Sequence, residues 1–138
     1  MNLYQQFKTD SNVEKKGITI RYGNDGDKPI EFVIARAGGA NTAYNKVLEA
    51  KLKPYRRQIQ NETMDTDTMV ALIRDVYATT VVIGWNNVRD ADGNELPFTR
   101  ENCIKLFTDL PELFEDIQTQ ANRAALFREE VLEIESKN

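Results

Sequence analysis

The sequence predicts an α+β fold, mainly α: an N-terminal β-hairpin packed on a bundle of about four helices in a single domain. Three observations carry this expectation. Between Ile18 and Ile34 apolar residues alternate with polar ones on both sides of the turn sequence NDGDKP. From Tyr44 onward they recur at three- and four-residue steps, punctuated by capping residues and prolines. No repeat, low-complexity block or linker divides the 138 residues, a length that suits one domain.

Residues 1–12 read as a flexible arm or a short helix laid on a neighbour, with Leu3, Tyr4 and Phe7 as apolar groups. The globular domain then spans 13–134, and 135–138 is a polar tail. In GITIRYG, Ile18, Ile20 and Tyr22 face inward against Thr19 and Arg21. In PIEFVIARA, Ile30, Phe32 and Ile34 do so against Glu31 and Val33. Asn, Asp and Gly tolerate the backbone angles of the reversal between them. An isolated hairpin is marginal in water, so its apolar face must pack on helices.

Gly38 and Gly39 end the strand pattern, and Asn41 or Thr42 caps a helix carrying Tyr44, Val47, Leu48 and Leu52. Pro54 has no amide hydrogen and kinks or ends that helix, with Tyr55 to Ile59 as a further turn or two. Asp65, Thr66 and Asp67 open the next helix, whose stripe of Met69, Leu72, Ile73, Val76, Tyr77, Thr80 and Ile83 marks it as central. Gly84 and Trp85 are expected at its end. Thr99 caps a short helix holding Cys103, Ile104 and Phe107. Asp109 caps the last helix, with Pro111 in its first turn and a stripe from Leu113 and Phe114 through Ile117, Ala121 and Ala124 to Phe127, Val131 and Ile134.

Composition narrows the function. The net charge of −4 disfavours a general nucleic-acid binder. No apolar run approaches the roughly 20 residues of a membrane span, and MNLYQQFKTD lacks the features of a secretory signal. The chain has no histidine and one cysteine, so neither a histidine-based nucleophile nor a standard zinc site can be assembled from it. A non-enzymatic protein without metal or cofactor is expected, in a reducing cytoplasm.

Each stretch with a chemical look has a plainer reading. Asp90-x-Asp92-Gly93-Asn94-Glu95 suggests a calcium loop. Yet its glycine falls at the fourth place instead of the sixth, and Leu96, Pro97 and Phe98 occupy the middle where oxygen donors are needed. Asp92-Gly93 is therefore expected to be a tight turn, as is Asn24-Asp25-Gly26-Asp27. Gly38-Gly39-Ala40-Asn41-Thr42 resembles a phosphate-cradling turn but lacks the lysine and glycine spacing of one. A glycine-rich turn into a helix is the plainer account. The acids of the last helix, among them Glu112, Glu115 and Asp116, sit opposite its apolar stripe as solvated groups.

Two features point to partners. Lys46, Lys51, Lys53, Arg56 and Arg57 make one segment basic in a net acidic chain, which reads as a solvated face or a docking patch for an acidic partner. Lys46, Lys53 and Arg57 share a face if the helix survives Pro54. Leu3, Tyr4 and Phe7, with Phe127 and Val131 at the other end, are the apolar groups least needed internally and are expected to mediate self-association or partner binding. Trp85 is read as a plug whose ring N–H bonds loop carbonyls, with anchoring of a partner as the other role.

The segment from Gly84 to Leu110 runs Gly84-Trp85, Asn-Asn-Val, Asp-Ala-Asp-Gly, Leu96-Pro97-Phe98-Thr99, Glu101-Asn102, Leu106, then Asp109-Leu110-Pro111 before a helix. It resembles the tail assembly chaperones of long-tailed phages, and the likeness extends over about Ile18 to Phe127. The resemblance implies a short-form, non-catalytic chaperone in the host cytoplasm, absent from the mature virion. It would bind the tape measure protein and help recruit tail tube protein, in part through a longer frameshifted product. The N-terminal arm and the lysine-rich helix have no counterpart in that pattern. The alternative is a structural head-to-tail connector or tail completion protein of the virion. A carboxylate enzyme and a nucleic-acid module around Lys51 to Arg57 rank below both.

Overall fold

Ile18–Asp25 (β1) and Lys28–Ile34 (β2) form the expected antiparallel hairpin in the computed structural model, which describes residues 2–128. Asp25 pairs with Lys28, leaving a two-residue turn whose first position, Gly26, takes φ +65°, an angle that costs glycine little. The inward residues follow the alternation: Ile18 lies opposite Ile34, and Ile20 opposite Phe32. Around this sheet the chain places helices Leu3–Phe7 (α1), Ser11–Lys16 (α2), Thr42–Leu52 (α3), Arg56–Gln60 (α4), Thr66–Thr80 (α5), Arg100–Asp109 (α6) and Pro111–Ala121 (α7). The result is the expected α+β, mainly α, architecture.

The sheet has a third strand that the helical period concealed. Helix α5 stops at Thr80, and Val82–Asn86 (β3) pairs antiparallel with β2, giving the order β1-β2-β3. Gly84 and Trp85 therefore lie within a strand and not at a helix end. Val81, Val82 and Ile83 are β-branched, stiff in a helix and well suited to a pleated surface. Pairing them with β2 also satisfies that strand's second row of backbone groups. Ile83 falls at the irregularity where Ile34 pairs with Val82 but Val33 with Gly84, and it stays 44% exposed.

Pro54 acts as expected: α3 ends at Leu52, Lys53–Tyr55 form a 3₁₀ turn, and α4 follows. Lys46, Lys53 and Arg57 consequently do not share one continuous α-helix. Asp65 caps α5 by accepting from the Thr68 amide at 3.1 Å, and Thr99 caps α6 by accepting from Asn102 at 3.0 Å. Asp109 is the last residue of α6 and receives Lys105 Nζ at 2.9 Å; Leu110 takes the N-cap place before Pro111.

Helix α7, the last among the described residues, is shorter than the apolar stripe read from the sequence. It closes at Ala121, where the Asn122 side chain donates to the Gln118 carbonyl at 2.7 Å and to Tyr77 Oη at 3.1 Å. A 3₁₀ turn, Ala124–Phe127, then inserts Phe127 into the interior at 0% exposure. Ile134 lies outside the described residues.

Two aromatic chains define the core. One runs Tyr44, Tyr77, Phe114, Phe107 with ring centroids 5.7, 5.4 and 4.8 Å apart. The other runs Tyr22, Phe32, Trp85, Phe98 at 5.7, 5.4 and 5.0 Å. Edge-on and tilted contacts of this kind add to the burial of the rings themselves. Cys103 lies fully buried, and burial pushes its thiol up to about 12, so it packs as an inert small hydrophobe.

Candidate functional surfaces

The connection from β3 to α6 is built by hydrogen bonds that consume its distinctive side chains. Trp85 Nε1 donates to the Leu96 carbonyl at 2.8 Å while the ring packs between Phe32 and Phe98. Val88 is buried, and its carbonyl accepts from Leu96 N at 2.9 Å. Asp90 Oδ1 accepts from the amides of Asp92 and Asn94 at 3.0 and 2.9 Å, and Gly93 turns the chain at φ +83°. Arg89 reaches across to Asp25 Oδ2 at 2.7 Å, fastening the loop to the tip of the hairpin. Leu96 and Phe98 return to the core, and Thr99 restarts helix. The carboxylate of Asp90 acts here as a turn-former, accepting backbone amides the way an aspartate turn does.

The glycine turn before α3 does hold an anion, and the anion is the chain's own. Glu14 of α2 is only 4% exposed. Its Oε2 receives Arg36 Nη1 at 2.8 Å and the Ala40 amide at 3.3 Å, and its Oε1 receives Thr9 Oγ1 at 2.9 Å. Gly39 lies at φ +55° against this carboxylate. Burial raises the Glu14 carboxyl, but the bonds from Arg36, Thr9 and Ala40 outweigh it and hold it below its usual 4.5. Asn41 holds the N-cap place of α3, as expected, but makes no capping hydrogen bond there. Its side-chain amide donates to the Arg36 and Thr80 carbonyls at 2.8 and 3.0 Å, joining the same turn to the end of α5.

This latch positions the arm. Asp10 caps α2 through Asn12 N at 2.8 Å, and its own amide donates to the Phe127 carbonyl at 2.7 Å. Before it, α1 is closed by a reciprocal cap between Asn2 and Gln5, both bonds 3.0 Å. A five-residue helix has little stability of its own, and α1 buries none of its residues. Leu3, Tyr4 and Phe7 are 69%, 79% and 65% exposed, with the Phe7 ring 6.0 Å from the Arg128 guanidinium carbon. Phe127, expected beside them at the surface, belongs to the core instead, because the chain leaves the helical path at Asn122. Val131 lies outside the described residues.

The basic segment is split by use. Lys51 pairs with Asp75 at 2.6 Å, and Arg100 reaches the same carboxylate at 2.7 Å, so Asp75 ties α3, α5 and α6 together. Lys46, Lys53, Arg56 and Arg57 are exposed and form no ion pair with another described residue. Helices α3 and α4 bury no residue completely, and Ile59 is 39% exposed. The elbow, from Lys46 on α3 through the 3₁₀ turn to Arg57 on α4, thus offers four cations without an ion-pair partner among the described residues, beside a partly apolar surface.

A family model described as YdaY prophage protein matches residues 39–138. The match makes this a phage-derived protein. The chain belongs to the YdaY prophage protein family. Helices α3 to α7 and β3 lie inside the matched region, whereas α1, α2 and the hairpin precede it. No curated protein and no solved structure matches the chain.

Proposed function

We propose that this phage-derived protein is a tail assembly chaperone of the short form, non-catalytic and resident in the host cytoplasm. It binds the tape measure protein and helps bring tail tube subunits to it. The observation that carries the reading is the arm: a folded phage protein displays Leu3, Tyr4 and Phe7 to solvent on a capped helix, and such apolar display marks an interaction surface. Membership in a prophage family and the Gly84–Leu110 resemblance support the same reading. The elbow of Lys53, Arg56 and Arg57 supplies the complementary charge for an acidic stretch of the partner.

Composition of purified particles separates this reading from a connector or tail completion protein. A chaperone is missing from virions that carry tape measure and tube protein; a connector is present in stoichiometric amount. Two variants address the surfaces. Leu3→Ser, Tyr4→Ser and Phe7→Ser together are expected to abolish self-association in size-exclusion chromatography with light scattering, with stability unchanged to within about 0.5 kcal/mol. Substitution is preferable to deletion because Thr9 and Asp10 are bonded into the domain. Arg56→Glu with Arg57→Glu is expected to weaken capture of the tape measure protein at least tenfold while leaving the melting temperature alone. Undiminished capture would retire the elbow as the docking patch.

A further inference from the structure

We propose that helix α1 of one copy docks, through Leu3, Tyr4 and Phe7, into an apolar cavity of a second copy, between the β-hairpin and the junction of α6 and α7. This rests on the arm being an interaction surface, as proposed above, and gives that surface its receptor. The cavity has a volume of about 380 Å³. Its apolar walls are Tyr22 and Ile30 of the hairpin, Val88 of the loop after β3, and Leu106, Leu110 and Leu113. Leu110 is 49% exposed, so the cavity opens to solvent on that side. A concave apolar surface of this size admits large side chains, and leaving it uncovered favours association.

The occupant follows from charge, shape and reach. Asp25 and Arg89 are the charged residues that line the cavity, and they bond to each other at 2.7 Å. The Tyr22 hydroxyl is likewise used, donating to Asp116 at 2.5 Å. With its lining charges paired, the cavity suits a neutral, apolar segment. Helix α1, LYQQF, carries no charged residue. Leu3 and Phe7 are four residues apart and Tyr4 and Phe7 three, so the three apolar groups share one helical face. The other exposed large hydrophobics among the described residues, Ile59 and Ile83, stand singly. In its own molecule the arm lies apart from the cavity: Phe7 stands by Arg128, and no arm residue is in the cavity lining. Asp10, held by the Phe127 carbonyl, keeps Phe7 within roughly 11 Å of that anchor even if the arm extends. A second copy's arm is free of that tether.

Leu110→Asp tests the proposal, measured by size-exclusion chromatography with light scattering beside the Leu3, Tyr4 and Phe7 serine variant. Leu110 holds the N-cap place of α7, which aspartate suits, and the substitution sets a charge in the cavity wall. It is expected to weaken self-association at least tenfold with the melting temperature unchanged. Mixed together, the two variants are expected to form a one-to-one complex that neither forms alone, since one keeps the cavity and the other the arm. If Leu110→Asp associates like wild type while the serine variant does not, the cavity is overturned and the arm remains an interaction surface. A serine variant that associates like wild type would overturn both. A wild-type chain that is monomeric at every concentration, or a mixture that stays monomeric, would also overturn the proposal. Should Leu110→Asp lower the melting temperature, Asn24→Arg, at an exposed position of the cavity lining, gives the same comparison with the same outcomes.

Discussion

Alanine at Gly39 is expected to lower the melting temperature by roughly 10 °C, corresponding to about 3 kcal/mol. The cause is local. Gly39 sits at φ +55°, where a non-glycine residue costs about 1–2 kcal/mol by itself. Its new Cβ would also land far inside van der Waals contact distance of Glu14 Oε2 and against Arg36 Cδ. The carboxylate must withdraw, weakening its bonds from Arg36 and Ala40 in a nearly dry site. Gly84→Ala is the control: Gly84 has no positive φ and nothing within 4 Å of the added carbon, so thermal unfolding should stay within about 0.5 kcal/mol of wild type.

The same site has a pH signature. Because the folded Glu14 carboxyl lies below its usual 4.5, its stabilisation is complete above that value and is lost as pH falls through the folded value. The stability gap between wild type and Glu14→Gln, measured by urea unfolding, should therefore be widest at neutral pH and shrink below about pH 4.5. A gap that widens on acidification would contradict the hydrogen-bonded carboxylate.

Trp85→Ala should be the second large effect, about 2–4 kcal/mol. The ring is half-buried, so the loss falls short of that for a fully enclosed tryptophan. It bridges the sheet at Phe32 and the returning loop at Phe98 and Leu96, and its removal loosens both attachments at once. Trp85→Phe keeps the ring contacts and forfeits only the Nε1 bond, which should cost about 1 kcal/mol. Were Trp85 instead an anchor for the partner, the phenylalanine variant would lose capture of the tape measure protein at unchanged stability. Urea unfolding of both variants, read by circular dichroism, alongside a pull-down, separates the two roles.

Much of this fold is written locally, and the parts that are not share a cause. The hairpin, the Asp65 and Thr99 caps, the break at Pro54 and the Asp-Gly turn each follow from a few adjacent residues whose backbone preferences point one way. The run TTVVIGW does not. Thr80 and Ile83 extend the stripe of α5 in helical register, while Val81, Val82 and Ile83 also suit a strand, and only the free side of β2 decides between them. Phe127 continues a helical stripe just as well, and what diverts it is the Asn122 side chain bonding back to Gln118 and across to Tyr77.

The latch was the least legible feature. Glu14 looks like any solvated acid, and two of its three partners, Arg36 and Ala40, stand 22 and 26 residues away in sequence. The Gly38-Gly39-Ala40 turn carried a trace of it, since its resemblance to an anion cradle was physically sound. The ligand proved to be a side chain of the same chain, so the signal concerned fold and not substrate. The surfaces proposed for partners were legible only as composition. The apolar arm and the basic elbow stand out by sequence, yet only the structure separates Lys51, consumed by Asp75, from the exposed cations, and Phe127 from the exposed arm.

Co-expression with the tape measure protein encoded by the same phage tests the chaperone reading most directly. The soluble fraction of tape measure protein should rise severalfold in the presence of this chain and co-purify with it. That rise should vanish with the Leu3, Tyr4 and Phe7 serine variant. A tape measure protein that stays equally insoluble with and without the chain, and is not retained by it, would contradict the account.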